Sequence, residues 1–156
     1  MKIINARIED LEVDVMVNAA DCHLWIGTGV DGALRMGGGY KYQRACLGFI
    51  NKQGLLQPGR AYLMKNRGNL KAKYIIHAVA PDHMTKDPYV MLKVLIKRIA
   101  RLAKRIKAQS VAIPLLGSGA FLLDIDKVYK TIVRAVKRFK GKQLYYIVHP
   151  SYKEEI

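Results

Sequence analysis

The stretch that decides the fold is VDVMVNAADCHLWIGTGVDGALRMGGG, residues 13–39. Its first five residues, 13–17, are apolar except for Asp14, and three of them are β-branched valines, which predicts a buried strand. A loop of small residues follows and ends in Gly-Thr-Gly at 27–29, and residues 30–36 then predict the first turns of a helix that stops at three glycines. Such a loop exposes backbone N–H groups that lack intrahelical partners, and these groups attract phosphate.

The glycines of this stretch have a second interpretation. Glycine between a strand and a helix is often only a turn residue, so the loop by itself leaves anion binding and plain turn formation both open. No GxGxxG pattern is present, which argues against a Rossmann dinucleotide site.

The composition indicates one globular domain. The chain has 156 residues, of which 51% are apolar and 25% charged, a balance typical of a folded protein. It contains neither an apolar run as long as a membrane span nor a signal-peptide core, so we expect a cytoplasmic protein with no membrane partner. The two cysteines, Cys22 and Cys46, do not form a ligand pattern, and we expect no metal and no cofactor. Cys22 is either a reactive thiol or a small loop residue.

The charge is strongly positive, with 27 Lys and Arg against 12 acids and a net charge of +15. Such a field favours anionic partners without saying which anion. The basic residues crowd the outward faces of two predicted helices, 89–108 and 124–140. These faces are either solvated surface or a nucleic-acid contact, and both interpretations stay open.

Strand and helix patterns alternate along the chain. They predict strands at 2–6, 13–17, 60–65, 74–79, 110–116 and 143–148, and helices at 30–36, 40–52, 89–108 and 124–140. This alternation predicts an α/β sandwich with helices on both faces of a largely buried sheet.

Three segments resemble, in register, motifs of the macro domain family. They are VNAADCHLWIGTGVDGAL at 17–34, KYIIHAVAP at 73–81 and IPLLGSGAF at 113–121. The resemblance implies a single macro domain over residues 1–156. It also implies a three-layer α/β/α sandwich with a mixed, mostly parallel six-stranded sheet.

The resemblance implies a ligand as well, ADP-ribose or a derivative, held in a cleft between two glycine-containing loops. Backbone N–H groups of both loops would contact the phosphates, and the Phe121 ring would lie against the distal ribose. The candidate substrate-binding residues are Ile8, Asn18, Gly27, Thr28, Gly29, Val30, Gly117, Ser118, Gly119, Ala120 and Phe121. Asn18, which begins the first motif, also has an alternative role as a structural anchor of the loop.

Two carboxylates are the candidate catalytic residues. Asp31 matches a family position that orients or activates water. A carboxylate at such a position can act as a general base. Its alternative role is to cap a helix beginning at Gly32. Asp21 stands where the family usually has an asparagine that binds the distal ribose. His77 lies in an apolar strand and is expected to be a core residue rather than a catalytic one.

Three positions depart from the family pattern. Arg7 replaces the adenine-binding aspartate, and a guanidinium cannot accept hydrogen bonds from the adenine amino group. Glu9 or Asp10 could take that role only if the loop follows a different path. Leu122 replaces the last glycine of the second loop, where it is expected to crowd a ligand, and Asp21 adds a negative charge.

Three functions follow from these patterns. The first is hydrolysis of an ADP-ribose 1″-phosphate, an O-acetyl ester or an ADP-ribosylated side chain. The second is a reader that binds ADP-ribose or its polymer without turnover. The third is nucleic-acid binding through the basic helices. The sequence gives no indication of the oligomeric state.

Overall fold

The computed structural model describes residues 1–25 and 27–153 of the chain. Ile26, in the first loop, and residues 154–156 of the expected domain lie outside the described residues. The described part contains the strands β1 Lys2–Ile4, β2 Val13–Ala20, β3 Ala61–Lys65, β4 Ala72–Val79, β5 Ser110–Pro114 and β6 Leu144–Val148. Its helices are α1 Gly29–Gln53, α2 Pro88–Arg105 and α3 Ile125–Lys137, with a 3₁₀ turn at Ile8–Asp10.

The strands form one sheet in the order β1-β6-β5-β2-β4-β3. Every neighbouring pair is parallel except β3 with β4, which is antiparallel. This arrangement confirms the predicted mixed, mostly parallel sheet of six strands. The central strand β2 is apolar on both faces because helices cover both sides of the sheet.

Two apolar cores separate the three layers. On one face, Val15 and Val17 of β2 pack with the buried stripes of α2 and α3. On the other face, Met16 packs with Leu34 and Tyr42 of α1. The predicted α/β/α sandwich is therefore confirmed. None of the helices in the described residues is long and apolar enough to cross a membrane.

The glycines at 37–39 interrupt the helix, as the sequence predicted. α1, Gly29–Gln53, consists of two helical segments that meet at a kink, where Gly39 has a non-helical backbone with φ 72°. A Cβ on Gly38 would lie only 2.5 Å from the Cβ of Tyr42. The glycines therefore allow the backbone to approach a buried tyrosine and to bend between the two predicted helices.

Strand β2 is three residues longer than predicted and ends at Ala20. Asn18 consequently lies inside the sheet, where its Cα is paired with that of His77 in β4. Polar side chains in a buried strand need partners, and Asn18 Nδ2 finds one in His77 Nδ1 at 3.1 Å.

Candidate functional site

A cavity of about 420 Å³ opens where β2, β5 and β6 end. This volume lies within the range of about 300–1,000 Å³ that small-molecule sites occupy. Its position, beyond the carboxyl ends of parallel strands, is where α/β proteins bind ligands. Both glycine-containing loops contribute to its wall, through Thr28, Gly29 and Val30 on one side and residues 117–121 on the other.

The first loop, residues 21–28, leads directly into the N-terminus of α1. Thr28 is the N-cap residue, and its side chain makes no capping hydrogen bond. Gly27 and Gly29 have φ values of 67° and 57°, a conformation that favours glycine. The first N–H groups of α1 therefore have no intrahelical acceptor and no side-chain cap, and Thr28, Gly29 and Val30 bring this helix end into the cavity wall.

The second loop, residues 115–123, is held almost entirely by its own backbone. Leu123 donates to the carbonyl of Gly117 at 2.9 Å, and Leu122 donates to that of Gly119 at 3.0 Å. The Ser118 hydroxyl donates to the Leu115 carbonyl at 2.6 Å. Among the described residues, the N–H groups of residues 119–121 have no acceptor. A cavity wall with unpartnered N–H groups suits an anionic ligand.

The Asp31 side chain fixes the position of the first loop. This side chain is only 1% exposed. One carboxylate oxygen accepts a hydrogen bond from Asn18 Nδ2 at 2.9 Å. The other accepts from the Gly27 N–H and from Arg35 Nε, each at 2.9 Å. Arg35 also donates to the Leu24 carbonyl. The carboxylate therefore ties together β2, the loop and α1.

Asn18 and His77 extend this network into the core. Asn18 Nδ2 lies 3.1 Å from His77 Nδ1, and an amide nitrogen only donates, so Nδ1 is the acceptor and the ring proton is on Nε2. His77 Nε2 faces the sulfur of Met64 at 3.3 Å. Complete burial lowers the pKa of His77 to about 4, so the ring is neutral at pH 7. His77 is a buried core residue that the described cavity wall does not include.

Asp21 shapes the other end of the first loop. Its carboxylate accepts from the Trp25 N–H at 2.7 Å and from the His23 N–H at 3.3 Å. The adjacent Cys22 is partly buried, and burial together with the Asp21 charge raises the pKa of its thiol. A thiol with a raised pKa is a poor nucleophile, so the geometry favours the small-residue role for Cys22 over the reactive one.

These placements correct several sequence-based expectations. Asp31, Asp21, Asn18 and Gly27 are absent from the described wall of the cavity. The carboxylates of Asp31 and Asp21 are oriented by backbone and side-chain donors within the loop. Asp31 is not the N-cap either, because α1 begins at Gly29 and the cap is Thr28. The catalytic role of the two aspartates stays a prediction.

The remaining expected binding residues do lie in the cavity wall. They are Ile8, Thr28, Gly29, Val30, Gly117, Ser118, Gly119, Ala120 and Phe121. Leu122 was expected to crowd the ligand, but its side chain is 66% exposed and lies outside the described wall. Leu122 has φ 61°, so the backbone keeps a glycine-like conformation while the side chain points to solvent.

From the sequence, Glu9 was expected to contact the base only if the loop followed a different path. The 3₁₀ turn places Arg7, Ile8 and Glu9 together in the cavity wall. The Glu9 side chain is 9% exposed, and its carboxylate accepts from Arg7 Nε at 2.8 Å. Arg7 itself is 76% exposed. A tight turn, whose signal in the sequence is weak, brings Glu9 into the cavity wall. Arg35 was also missed, although its spacing four residues after Asp31 is the usual spacing of a helical ion pair.

Comparisons with known proteins agree with this geometry. A sequence model described as Macro domain matches residues 17–132. A macro domain-containing protein of Caldanaerobacter subterraneus subsp. tengcongensis is 32% identical over 148 residues, which cover 89% of this chain and 80% of the relative.

Solved structures share the fold. A macrodomain of Oceanobacillus iheyensis with MES bound superposes with a TM-score of 0.89 at 24% identity, covering 96% of this chain and 82% of that one. A Trypanosoma brucei macrodomain in complex with ADP-ribose superposes with a TM-score of 0.80 at 23% identity, covering 94% of this chain and 62% of that one.

Proposed function

This chain belongs to the macro domain family, and we propose that it binds ADP-ribose or an ADP-ribose derivative in the cavity between its two loops. The observation that carries the proposal is the meeting of both loops at one cavity, each with backbone N–H groups that have no acceptor among the described residues. The Trypanosoma brucei relative, whose fold this chain shares, has been solved in complex with ADP-ribose.

The proposed contacts follow from the cavity wall. A diphosphate lies between the N-terminus of α1 and residues 117–121, where main-chain amides and a helix dipole favour negative charge. Small residues in both loops allow the phosphates to approach the backbone closely. The Phe121 ring is the surface offered to the distal ribose. Ile8 and Val148 offer apolar surface to the base.

The proposal extends to residues 1–156 as a single macro domain. Residues on both sides of the matched range contribute to the same cavity: Arg7, Ile8 and Glu9 before it, and Val148 and Pro150 after it. A binding site that draws on both flanks supports a domain larger than the match.

Titration calorimetry with ADP-ribose tests the proposal. A Cβ on Gly119 meets nothing within 4 Å, so Gly119→Val adds bulk to the second loop without a clash inside the protein. We expect Gly119→Val to weaken binding by about 100-fold, or about 2.7 kcal/mol, because it occupies the path of the phosphates. Gly48→Val is the matched control, since Gly48 also has open space but lies on α1 away from the cavity wall. Absence of binding by the unmodified chain, or equal affinity of the two variants, would contradict the proposal.

We assign the recognition of the base to Glu9 rather than to Arg7. A nearly buried carboxylate in an apolar wall can accept hydrogen bonds from an exocyclic amino group, whereas a guanidinium only donates. Glu9→Gln is expected to weaken ADP-ribose binding about tenfold, or about 1.4 kcal/mol, and to leave the affinity for ribose 5-phosphate unchanged. Glu12→Gln removes the same charge at an exposed position that is not in the cavity wall. A similar loss of affinity for both ligands would contradict a contact with the base.

Hydrolysis of an ADP-ribose derivative is a second candidate function. It is favoured by the Asp31 carboxylate directly below the first loop, because a carboxylate can activate water. Two of the three protein donors of Asp31 share one carboxylate oxygen, so the oxygen that accepts only from Asn18 Nδ2 is the one that a reacting water would use.

Incubation with ADP-ribose 1″-phosphate and O-acetyl-ADP-ribose separates an enzyme from a reader. Tight binding without product identifies a reader. Product formed at equal rates by the unmodified chain and by Asp31→Asn would exclude Asp31 as the water-activating group.

A further inference from the structure

The positive charge is concentrated in two segments, residues 93–107 and 127–142. These segments hold fourteen of the 27 Lys and Arg residues and no acid. They comprise most of α2 and α3 and the turns that follow them. We propose that this surface, the basic face, binds the phosphate backbone of duplex DNA, independently of the ligand cavity.

The basic face is one continuous surface because α2 and α3 pack side by side on the same side of the sheet. Their apolar stripes are buried, as at Leu95 and Ile132. Most of the intervening cations are exposed, among them Lys97 and Arg101 on α2 and Arg134 on α3. Positions three or four residues apart on a helix lie on the same side, so these side chains form parallel rows.

The rows converge at the end of the sheet opposite the cavity. The register pairs Ser110, at the start of β5, with Leu144, at the start of β6, and the Leu144 N–H donates to the Gln109 carbonyl at 2.8 Å. The turns that precede these two strands are therefore neighbours. Seven exposed cations lie on them and on the adjoining helix ends: Lys104, Arg105, Lys107, Lys137, Arg138, Lys140 and Lys142.

The charges of the basic face are not neutralised within the protein. In the described part of the chain, no Lys or Arg of residues 93–107 or 127–142 forms an ion pair. The nearest acid in the sheet, Asp14, accepts from the Gln109 N–H at 2.6 Å and pairs with Lys73 at 3.5 Å. An unneutralised field of this size attracts a polyanion over a long distance.

The chemistry of the basic face favours a duplex over a single strand. Binding of single strands relies on aromatic side chains that stack with bases. The aromatic residues of α2 and α3, Tyr89 and Tyr129, are partly buried, and Lys127 lies over the Tyr89 ring at 5.7 Å. Rows of flexible cations without stacking groups contact phosphates and not bases, so we infer binding without sequence preference.

The test is fluorescence anisotropy of the full chain with a labelled 24-base-pair duplex at several salt concentrations. The test variant carries Lys104→Gln, Lys107→Gln and Lys140→Gln. Its matched control carries Lys41→Gln, Lys52→Gln and Lys65→Gln, which remove the same charge at exposed positions on α1 and β3. We expect the test variant to bind at least tenfold more weakly at low salt. Its salt slope should be smaller by about three, because each lost phosphate contact reduces the slope by about one. The control should stay within about threefold of the unmodified chain.

Three outcomes would overturn the inference. They are no binding by the unmodified chain at low salt, equal weakening in the test and control variants, and tighter binding of a single strand than of the duplex. Circular dichroism of both variants checks that they fold. Saturating ADP-ribose should leave duplex binding unchanged, because the cavity lies at the opposite end of the sheet; displacement of the duplex would place it in the cavity instead.

Discussion

The two loops of the cavity are built in different ways. In the first, two carboxylates accept most of the hydrogen bonds that hold the loop: Asp31 accepts from the Gly27 N–H, and Asp21 accepts from the Trp25 and His23 N–H groups. In the second, the acceptors are main-chain carbonyls, and Ser118 supplies a side-chain hydroxyl as a donor. The first loop therefore depends on buried charge, whereas the second depends on backbone geometry.

An acidic residue beside the cavity can therefore serve to hold a loop in place. The Asp31 carboxylate accepts three hydrogen bonds from protein donors and so fixes the first loop to β2 and α1. The groups available for the proposed phosphate contacts are the main-chain N–H groups of both loops. The two loops should consequently respond very differently to the loss of a side chain.

The largest expected effect is that of Asp31→Ala on stability. It removes the carboxylate from Arg35 and from Asn18, which keep only the Leu24 carbonyl and His77 Nδ1 as acceptors, and breaking a buried ion pair costs about 3–5 kcal/mol. Arg35 is 22% exposed and can reach water, so we expect a loss near the lower limit, about 3 kcal/mol in urea unfolding. Ser118→Ala in the second loop should cost only about 1 kcal/mol. Equal losses would remove the contrast between the loops.

A second expected effect is a loss of folding stability in acid, caused by protonation of His77. The pKa of His77 is about 4 in the folded chain and 6.5 in the unfolded chain, so the unfolded chain binds more protons between these values. Stability is therefore unaffected by His77 above pH 6.5 and falls by about 1.4 kcal/mol per pH unit below it, about 3 kcal/mol in total by pH 4. The His77→Gln variant should lack this dependence of stability on pH. Parallel stability profiles of the two proteins between pH 6.5 and pH 4 would show that His77 is not buried neutral.

The smallest expected effect concerns the second loop. Leu122 has φ 61°, which costs a residue with a Cβ about 1 kcal/mol relative to glycine. Leu122→Gly relieves this strain but increases the freedom of the unfolded chain, so we expect a gain below about 1 kcal/mol. ADP-ribose affinity should not change, since the side chain is exposed outside the described wall. A large loss of stability in thermal unfolding would mean that the Leu122 side chain contributes packing.

The sequence predicted the fold well because the strands and helices carry strong, local patterns. The apolar run at 13–17 and the stripe through α2 and α3 are visible without coordinates. The glycines at 37–39 correctly marked the break between two helical segments, but the sequence does not show why the close approach there requires glycine. They accommodate Tyr42, whose approach cannot be read from neighbouring residues.

The site was less predictable than the fold. Sequence motifs identified both loops, yet they did not reveal that the Asp31 carboxylate accepts hydrogen bonds from Asn18, Gly27 and Arg35. That outcome depends on β2 extending to Ala20, which turns Asn18 inward beneath the loop. Glu9 was undervalued for a related reason, because a 3₁₀ turn of three residues decides which way its side chain points.

The central proposal is that main-chain N–H groups of the first and second loops bind a diphosphate. Amide chemical shifts in ¹H–¹⁵N NMR spectra, recorded during titration with ADP-ribose, test it most directly. We expect the largest shifts at Gly29, Val30, Gly119 and Ala120, with little change in the basic face. Shifts confined to one loop, or concentrated in residues 93–107 and 127–142 while the loops stay still, would contradict the account.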